Sequence, residues 1–230
     1  MIDFIWIPIS AKRIIYHVEH RVMEGGCQAE HGPVAIDVPA FEMTKYPITN
    51  GMYLEFMRDS GYRPFHEELW RGVENQADDR FLDFPAVNVN VYDALAYCNF
   101  YGYQLPSEAQ WQRAAAGSDD KTWPWGNEYE SGRANDTSGE LTPVDAFPLG
   151  QTDDGIMDMC GNAWEWTSSI LDDGIHKFAL LRGGSCYRAS HFWHMEGGSV
   201  PVHAHVKFPL LAGSLDCADT ITFRCVRERS

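Results

Sequence analysis

No apolar run in this chain approaches the roughly 18 residues that a membrane-spanning helix needs. The opening Met1-Ile2-Asp3-Phe4-Ile5-Trp6-Ile7-Pro8 lacks the basic flank and long apolar core of a signal peptide. Both absences read as a soluble, cytoplasmic chain with no membrane partner. Positive charge is also scarce: 18 Lys and Arg against 33 Asp and Glu leave −15. Such a surface repels polyanions, so nucleic acid is excluded as a partner of the whole surface. The deficit is uneven. Residues 171–230 hold seven Lys/Arg and six Asp/Glu, net +1, which leaves −16 on residues 1–170. Six cysteines are present (Cys27, Cys98, Cys160, Cys186, Cys217 and Cys225), and none forms a Cys-x-x-Cys pair. Zinc-ribbon and thioredoxin readings therefore lack support. Reduced, mostly buried thiols are expected, with Cys98 and Cys225 in the core. Internal repeats and linkers are missing too, so residues 1–230 read as a single domain.

What is present suffices for a large core: 44% apolar and 13% aromatic residues. Regular elements are few. Phe4-Ile5-Trp6-Ile7 reads as a strand ended by Pro8. Residues 14–18, 34–38 and 41–43 read as further strands. Two main helices are expected. One opens at Thr49-Asn50-Gly51, with Asn50 as cap, a Tyr53/Phe56/Met57 stripe and a stop at Gly61. The other runs from the Asn90 cap through Ala94, Tyr97 and Cys98 to Gly102. Ser107 and Gln110 then have the spacing of a capping box. Residues 63–84 are acidic and read as a loop. Past Gly117 the chain is Gly, Pro, Trp, Asn and Asp, which reads as long irregular structure held by aromatic packing. Short strands are expected at 164–167, 179–182 and 221–226.

These residues carry a family resemblance. Phe41-Glu42-Met43-Thr44-Lys45-Tyr46-Pro47-Ile48-Thr49-Asn50, Leu105-Pro106-Ser107-Glu108-Ala109-Gln110-Trp111, Trp123-Pro124-Trp125-Gly126, Gly161-Asn162-Ala163-Trp164-Glu165-Trp166, Arg182-Gly183-Gly184-Ser185 and Phe223-Arg224-Cys225-Val226 occur in that order. The chain resembles the formylglycine-generating enzyme family, or sulfatase-modifying-factor domain, from Trp6 to Val226. The resemblance implies an α+β, C-type-lectin-like fold with a twisted antiparallel sheet, two main helices and long irregular loops.

Members of that family differ in what they do, so the site residues must decide. Copper-type enzymes carry reactive cysteines on the third and eighth residues beyond the Gly-Gly-Ser triplet. Here those places hold Arg188 and Trp193, and neither can ligate copper(I). Cys186 and Cys217 do not match the spacing. The family's sulfoxide synthases resemble the chain at residues 47–54, but their iron ligands sit in an additional helical domain. Gln104 and Gln110 stand where relatives usually have Arg and Glu, which reads as a substituted internal ion pair. The balance leans away from an enzyme.

Segment 186–217 combines large aromatics, small adaptable residues and four histidines. It occupies the place that the resemblance assigns to the hypervariable residues of retroelement variable proteins. Rigid aromatics give contact area at low entropy cost. Tyr187, His191, Phe192, Trp193, His194, His203, His205 and Lys207 are therefore the candidate ligand-binding residues, for a protein or a small molecule. His191/His194 have helix-face spacing and His203/His205 strand-face spacing, so metal ligation by these pairs stays open. The family often binds calcium in its irregular half; Asn135, Asp136, Asn162 and Glu165 are the candidate oxygen donors for a structural Ca²⁺. The alternative for Asn162 and Glu165 is satisfaction of buried groups beside the tryptophans. Two readings result: a binding module on a C-type-lectin scaffold, such as a diversity-generating-retroelement variable protein, or a copper- or iron-dependent oxidoreductase of the same fold.

Overall fold

The computed structural model describes residues 3–20, 32–74, 79–117, 119–172, 174–175, 177–187, 198–210 and 217–229. Five strands come first: β1 (Trp6–Ile9), β2 (Lys12–Tyr16), β3 (Glu19–His20), β4 (Val34–Val38) and β5 (Phe41–Thr44). Helices α1 (Asn50–Ser60), α2 (Glu67–Glu74), α3 (Val91–Tyr101) and α4 (Glu108–Ala116) follow. Residues 117–163 run almost entirely as turns and bends. The remaining strands are β6 (Trp164–Asp172), β7 (Lys177–Arg182), β8 (Gly184–Ser185), β9 (Gly198–Ser199), β10 (Ala204–Leu210), β11 (Ile221–Phe223) and β12 (Val226–Glu228).

The main sheet has the order β11-β6-β7-β10-β3. Its central pairs β6–β7 and β7–β10 are antiparallel, as expected, but the outer pairs β11–β6 and β10–β3 are parallel. A second, antiparallel sheet, β1-β5-β12, joins strands from both ends of the sequence on either side of β5. Pro8 does not end the first strand. It lies inside β1, which is an edge strand, where a missing backbone donor is tolerated.

Local chemistry explains the helices. Thr49, not Asn50, caps α1: its hydroxyl accepts from the Met52 amide at 3.4 Å, while Asn50 donates to the Phe81 carbonyl. Gly61 closes that helix in the left-handed region. Asn90 and Asp93 make a capping box on α3, and Ser107 and Gln110 make the expected one on α4. Residues 63–84 are not a loop. They hold α2 and a 3-10 turn, Asp79–Asp83. The acidic residues of this stretch hide a short apolar stripe, and its Trp70 is buried.

The interior has two parts. In one, Tyr53, Phe56 and Tyr97 of α1 and α3 pack on Trp164, Trp166 and Phe223 of the main sheet, with Cys98 and Cys225 among them. Those two thiols are free and lie 3.6 Å apart. In the other, Trp111 and Ala114-Ala115-Ala116 of α4 pack on Ile9, Ile14, Val38, Phe41 and Met43. Gly184 lies between β7 and β9 with φ +85°, and a Cβ there would collide with the Gly198 carbonyl. Only glycine lets β8 approach β9 so closely. Among the described residues no helix is long and apolar enough to cross a membrane.

Candidate functional site

The recurrent motifs come together as two buried charge networks. Glu165 of β6 has no exposed surface; it accepts from Arg224 Nε (2.7 Å) and Nη2 (2.6 Å) and from Trp111 Nε1 (2.7 Å). Glu108, at the start of α4, accepts from Arg182 Nε and His205 Nδ1, both at 2.7 Å, and from the Tyr16 hydroxyl at 2.8 Å. Burial opposes ionisation of Glu108, but Arg182 and His205 outweigh it and hold the carboxyl down at about 2. The internal ion pairs thus exist, but Gln104 and Gln110 are not the place to look for them. Gln110 caps a helix, and Gln104 pairs through its backbone with Val226.

A cavity of about 580 Å³, lined by none of these network residues, lies beside α1 and α2. Its walls come from α1, α2 and the 3-10 turn, with Trp70, Phe81 and Phe84 prominent. The opposite side carries Glu140, Cys186, Asp219 and Thr220. These last residues matter because they bracket segment 186–217. The Cys186 carbonyl accepts from the Gly139 amide (3.0 Å), and its amide donates to the Asn162 carbonyl (2.8 Å). At the far end, the Thr220 carbonyl accepts from the Trp164 amide (2.8 Å) and the Ala218 carbonyl from the Asn88 amide (3.0 Å). Both ends of the segment are therefore pinned at one cavity.

The candidate residues separate. Tyr187 is exposed, and its carbonyl accepts from the Ser185 hydroxyl. His191, Phe192, Trp193 and His194 lie outside the described residues. His203 is half-buried and stacks on His17 with centroids 4.7 Å apart. Lys207 is half-buried on β10. His205 corrects the surface reading: it is 2% exposed and serves Glu108. His203 and His205 do not share a strand face: His203 lies in the turn before β10, and only His205 is on the strand, where Glu108 of α4 meets it.

Of the candidate calcium donors, Asn135 and Asn162 meet each other, and each of the four already has partners within the protein. Glu165 is neutralised by Arg224. Asn135 donates to Asn162 Oδ1 (3.1 Å), which also accepts from the Thr142 amide (3.0 Å). Asp136 accepts from Tyr129 and Ser199 hydroxyls. The alternative role, bonding buried groups, describes Asn162 and Glu165. Among the described residues no three His, Cys, Asp or Glu side chains form a metal-holding group.

Sequence reasoning passed over the cavity wall. Leu69, Trp70 and Val73 have helical spacing, and that signal was available inside the acidic stretch. It also passed over Asp158, which is buried and accepts from Asn162 Nδ2 at 2.8 Å. Burial pushes its carboxyl up to about 7. A carboxyl raised on folding stabilises fully below its unfolded value of 3.8, and that stability is lost as pH rises through about 7. Asp158→Asn keeps the shape and removes the titration. It is expected to be more stable than the parent at pH 8, on the order of 2 kcal/mol after discounting for local relaxation, and no more stable at pH 4. Urea denaturation at the two pH values checks this; equal differences at both would refute it.

Thiol chemistry is poorly served at the cavity. Burial raises Cys186, and it pushes Cys160 up to about 12, so both stay protonated at neutral pH. With Arg188 and Trp193 at the family's thiol positions, the residues present do not fit a copper(I) site.

Comparison with known proteins agrees with this geometry. Residues 17–229 match the Sulfatase-modifying factor enzyme 1-like domain. The chain is 28% identical over 246 residues to the inactive C-alpha-formylglycine-generating enzyme 2 of Bos taurus, covering 84% of this chain and 79% of that one. It is 30% identical over 167 residues to the hercynine oxygenase of Mycobacterium tuberculosis, covering 59% of this chain and only 39% of that relative. Treponema denticola variable protein 1 superposes with a TM-score of 0.72 at 17% identity, covering 99% of this chain and 96% of the other. PvdO from Pseudomonas aeruginosa superposes with a TM-score of 0.69 at 18% identity, covering 97% and 94%. The order of the motifs, the networks they build and the match over residues 17–229 agree: the chain belongs to the Sulfatase-modifying factor enzyme 1-like domain family.

Proposed function

We propose that the chain is a ligand-binding module of this family. Its binding surface is segment 186–217 together with the cavity that segment borders, and its ligand is a protein or a small molecule. The observation that carries this reading is the pinning of the chain at Cys186 and, just beyond the segment's far end, at Ala218 and Thr220, around one aromatic-walled cavity. Outside the buried positions of β9 and β10, exposed residues of a segment held this way can change at little cost to the scaffold, because exposed substitutions usually stay within about ±0.5 kcal/mol. Exposed aromatics such as Tyr187 supply the contact area. The likeness in sequence to an inactive formylglycine-generating enzyme supports loss of the oxidase chemistry. The fold likeness to a variable protein is compatible with the retroelement version of the reading.

The second reading, a metal-dependent oxidoreductase, draws on the likeness to hercynine oxygenase. One experiment separates the two. Protein purified without a chelating tag is analysed for copper and iron and for oxygen uptake with a thiol reductant. Under the binding reading, metal is far below one per chain, and Cys186→Ser with Cys217→Ser leaves uptake unchanged and lowers Tm by only a few degrees. Stoichiometric metal, with turnover lost in that double variant, would reverse the assignment. The retroelement version has its own check: close copies of the gene should differ chiefly within codons 186–217. Differences spread evenly along the gene would remove it.

A further inference from the structure

A second cavity, about 480 Å³, opens against the other side of α1. Asn50 faces the first cavity; Met52, Glu55 and Asp59 line the second. At about 100° per residue these three positions fall roughly opposite Asn50 on the helix. Its composition differs sharply from the first. Aromatic rings line it: Phe4 and Tyr103 stack with centroids 5.7 Å apart, and Tyr101 and Tyr103 stack at the same separation. Three carboxylates, Asp3, Glu55 and Asp59, complete the lining.

The charge arrangement is informative. Glu55 and Asp59 sit four apart on one helix face, a like-charge spacing that weakens a helix. Arg58 offsets part of this charge, reaching Asp59 at 3.0 Å and Glu55 at 3.5 Å from an exposed position. Arg227 pairs with Glu42 and lies 4.4 Å over the Trp6 ring, close enough to act on Tyr103 as well. With three carboxylates against the nearby Arg58 and Arg227, the cavity keeps a net negative field beside its aromatic rings. Burial and then Glu55 and Asp59 raise the Tyr101 phenol, which stays neutral at pH 7.

We propose that this cavity binds a small organic cation of the methylated-ammonium class. Ring faces attract a cation through their quadrupoles, and poorly hydrated methylated ammonium gains most from such a cage. The carboxylates supply attraction at longer range and exclude anions. The volume lies in the range of small-molecule sites, which favours a free ligand over a side chain on a protein. This site does not depend on the binding surface proposed above.

The test uses the full chain and calorimetric titration with choline. Its neutral carbon isostere, 3,3-dimethylbutan-1-ol, has the same shape without the charge. Choline should bind saturably and weaken with added salt, and the isostere should bind at least about tenfold more weakly. Glu55→Gln combined with Asp59→Asn should weaken choline by about tenfold or more. Both positions are exposed, so the variant should melt with the parent. Equal binding of the isostere, choline binding unchanged in the variant, or no binding of choline would overturn the proposal. A trimethyl-lysine peptide that binds tenfold tighter than choline would overturn the small-molecule assignment.

Discussion

Glu165→Ala is expected to cost about 3–5 kcal/mol, because it strands the Arg224 guanidinium in the interior. Both side chains are fully buried, and Arg224 is held by two oxygens of Glu165 at 2.6 and 2.7 Å. Its remaining hydrogen bonds go to the neutral carbonyls of Thr44 (3.1 Å) and Met157 (2.9 Å), and the carboxyl that also acts on it, Asp158, is itself kept from ionising by burial. Trp111 Nε1 loses its acceptor in the same step. Against a total stability of roughly 5–15 kcal/mol, this removes a large share. Glu165→Gln should cost less, since one amide oxygen still accepts. Denaturant midpoints of the three proteins measure the series. A Glu165→Ala variant within about 1 kcal/mol of the parent would mean that the network carries little of the fold.

That network also shows how motifs that stand far apart in this sequence come together in the fold. Phe223-Arg224-Cys225-Val226, Gly161-Asn162-Ala163-Trp164-Glu165-Trp166 and the Trp111 end of α4 meet at one carboxylate. Arg182 of the Arg-Gly-Gly-Ser run meets Glu108 of the same helix. The motifs that revealed the family are thus largely scaffold. This is why they identify the fold and leave the function open.

Legibility in the sequence followed the range of the interactions. The caps at Asn90 and Ser107 depend on residues three apart, and both were readable. The stop at Gly61 was readable for the same reason. Helix α2 was hidden because its polar face dominates a window in which, among the described side chains of the helix, Trp70 is the deeply buried one. The expected strand at 221–226 splits into β11 and β12, since Arg224 and Cys225 turn inward to partners more than 50 residues away. The site followed the same rule. The even spacing of His203 and His205 suggested a shared strand face, but β10 starts only at Ala204, and His205 meets Glu108, 97 residues away. Cavity walls from α1, α2 and the turn at Asp79–Asp83 were likewise beyond local pattern.

His205 is where display and scaffold part, and Glu108→Ala should expose the boundary. The substitution leaves Arg182 buried with only the Val202 (2.9 Å) and Ala204 (3.4 Å) carbonyls, and His205 Nδ1 and the Tyr16 hydroxyl lose their acceptor. The expected cost is about 3–5 kcal/mol. The loss should also depend on pH. The folded carboxyl is depressed to about 2, below its ordinary 4.5, so its stabilisation is complete above 4.5 and fades as pH falls toward 2. The gap between parent and variant should therefore narrow in acid. Val202, Ala204 and His205 lie within segment 186–217, at the start of β10, so the same change loosens the buried part of the proposed binding surface. Substituting Tyr187, His191, Phe192, Trp193 and His194 together, with His205 retained, should by contrast hold Tm within a few degrees. His205→Ala added to that set should lower Tm well beyond it, because Glu108 then loses one of its two buried nitrogen donors. Thermal melts of these variants at pH 7 and pH 3 decide the matter. A Glu108→Ala variant that melts with the parent at pH 7 would return His205 to the surface set and remove the boundary drawn here.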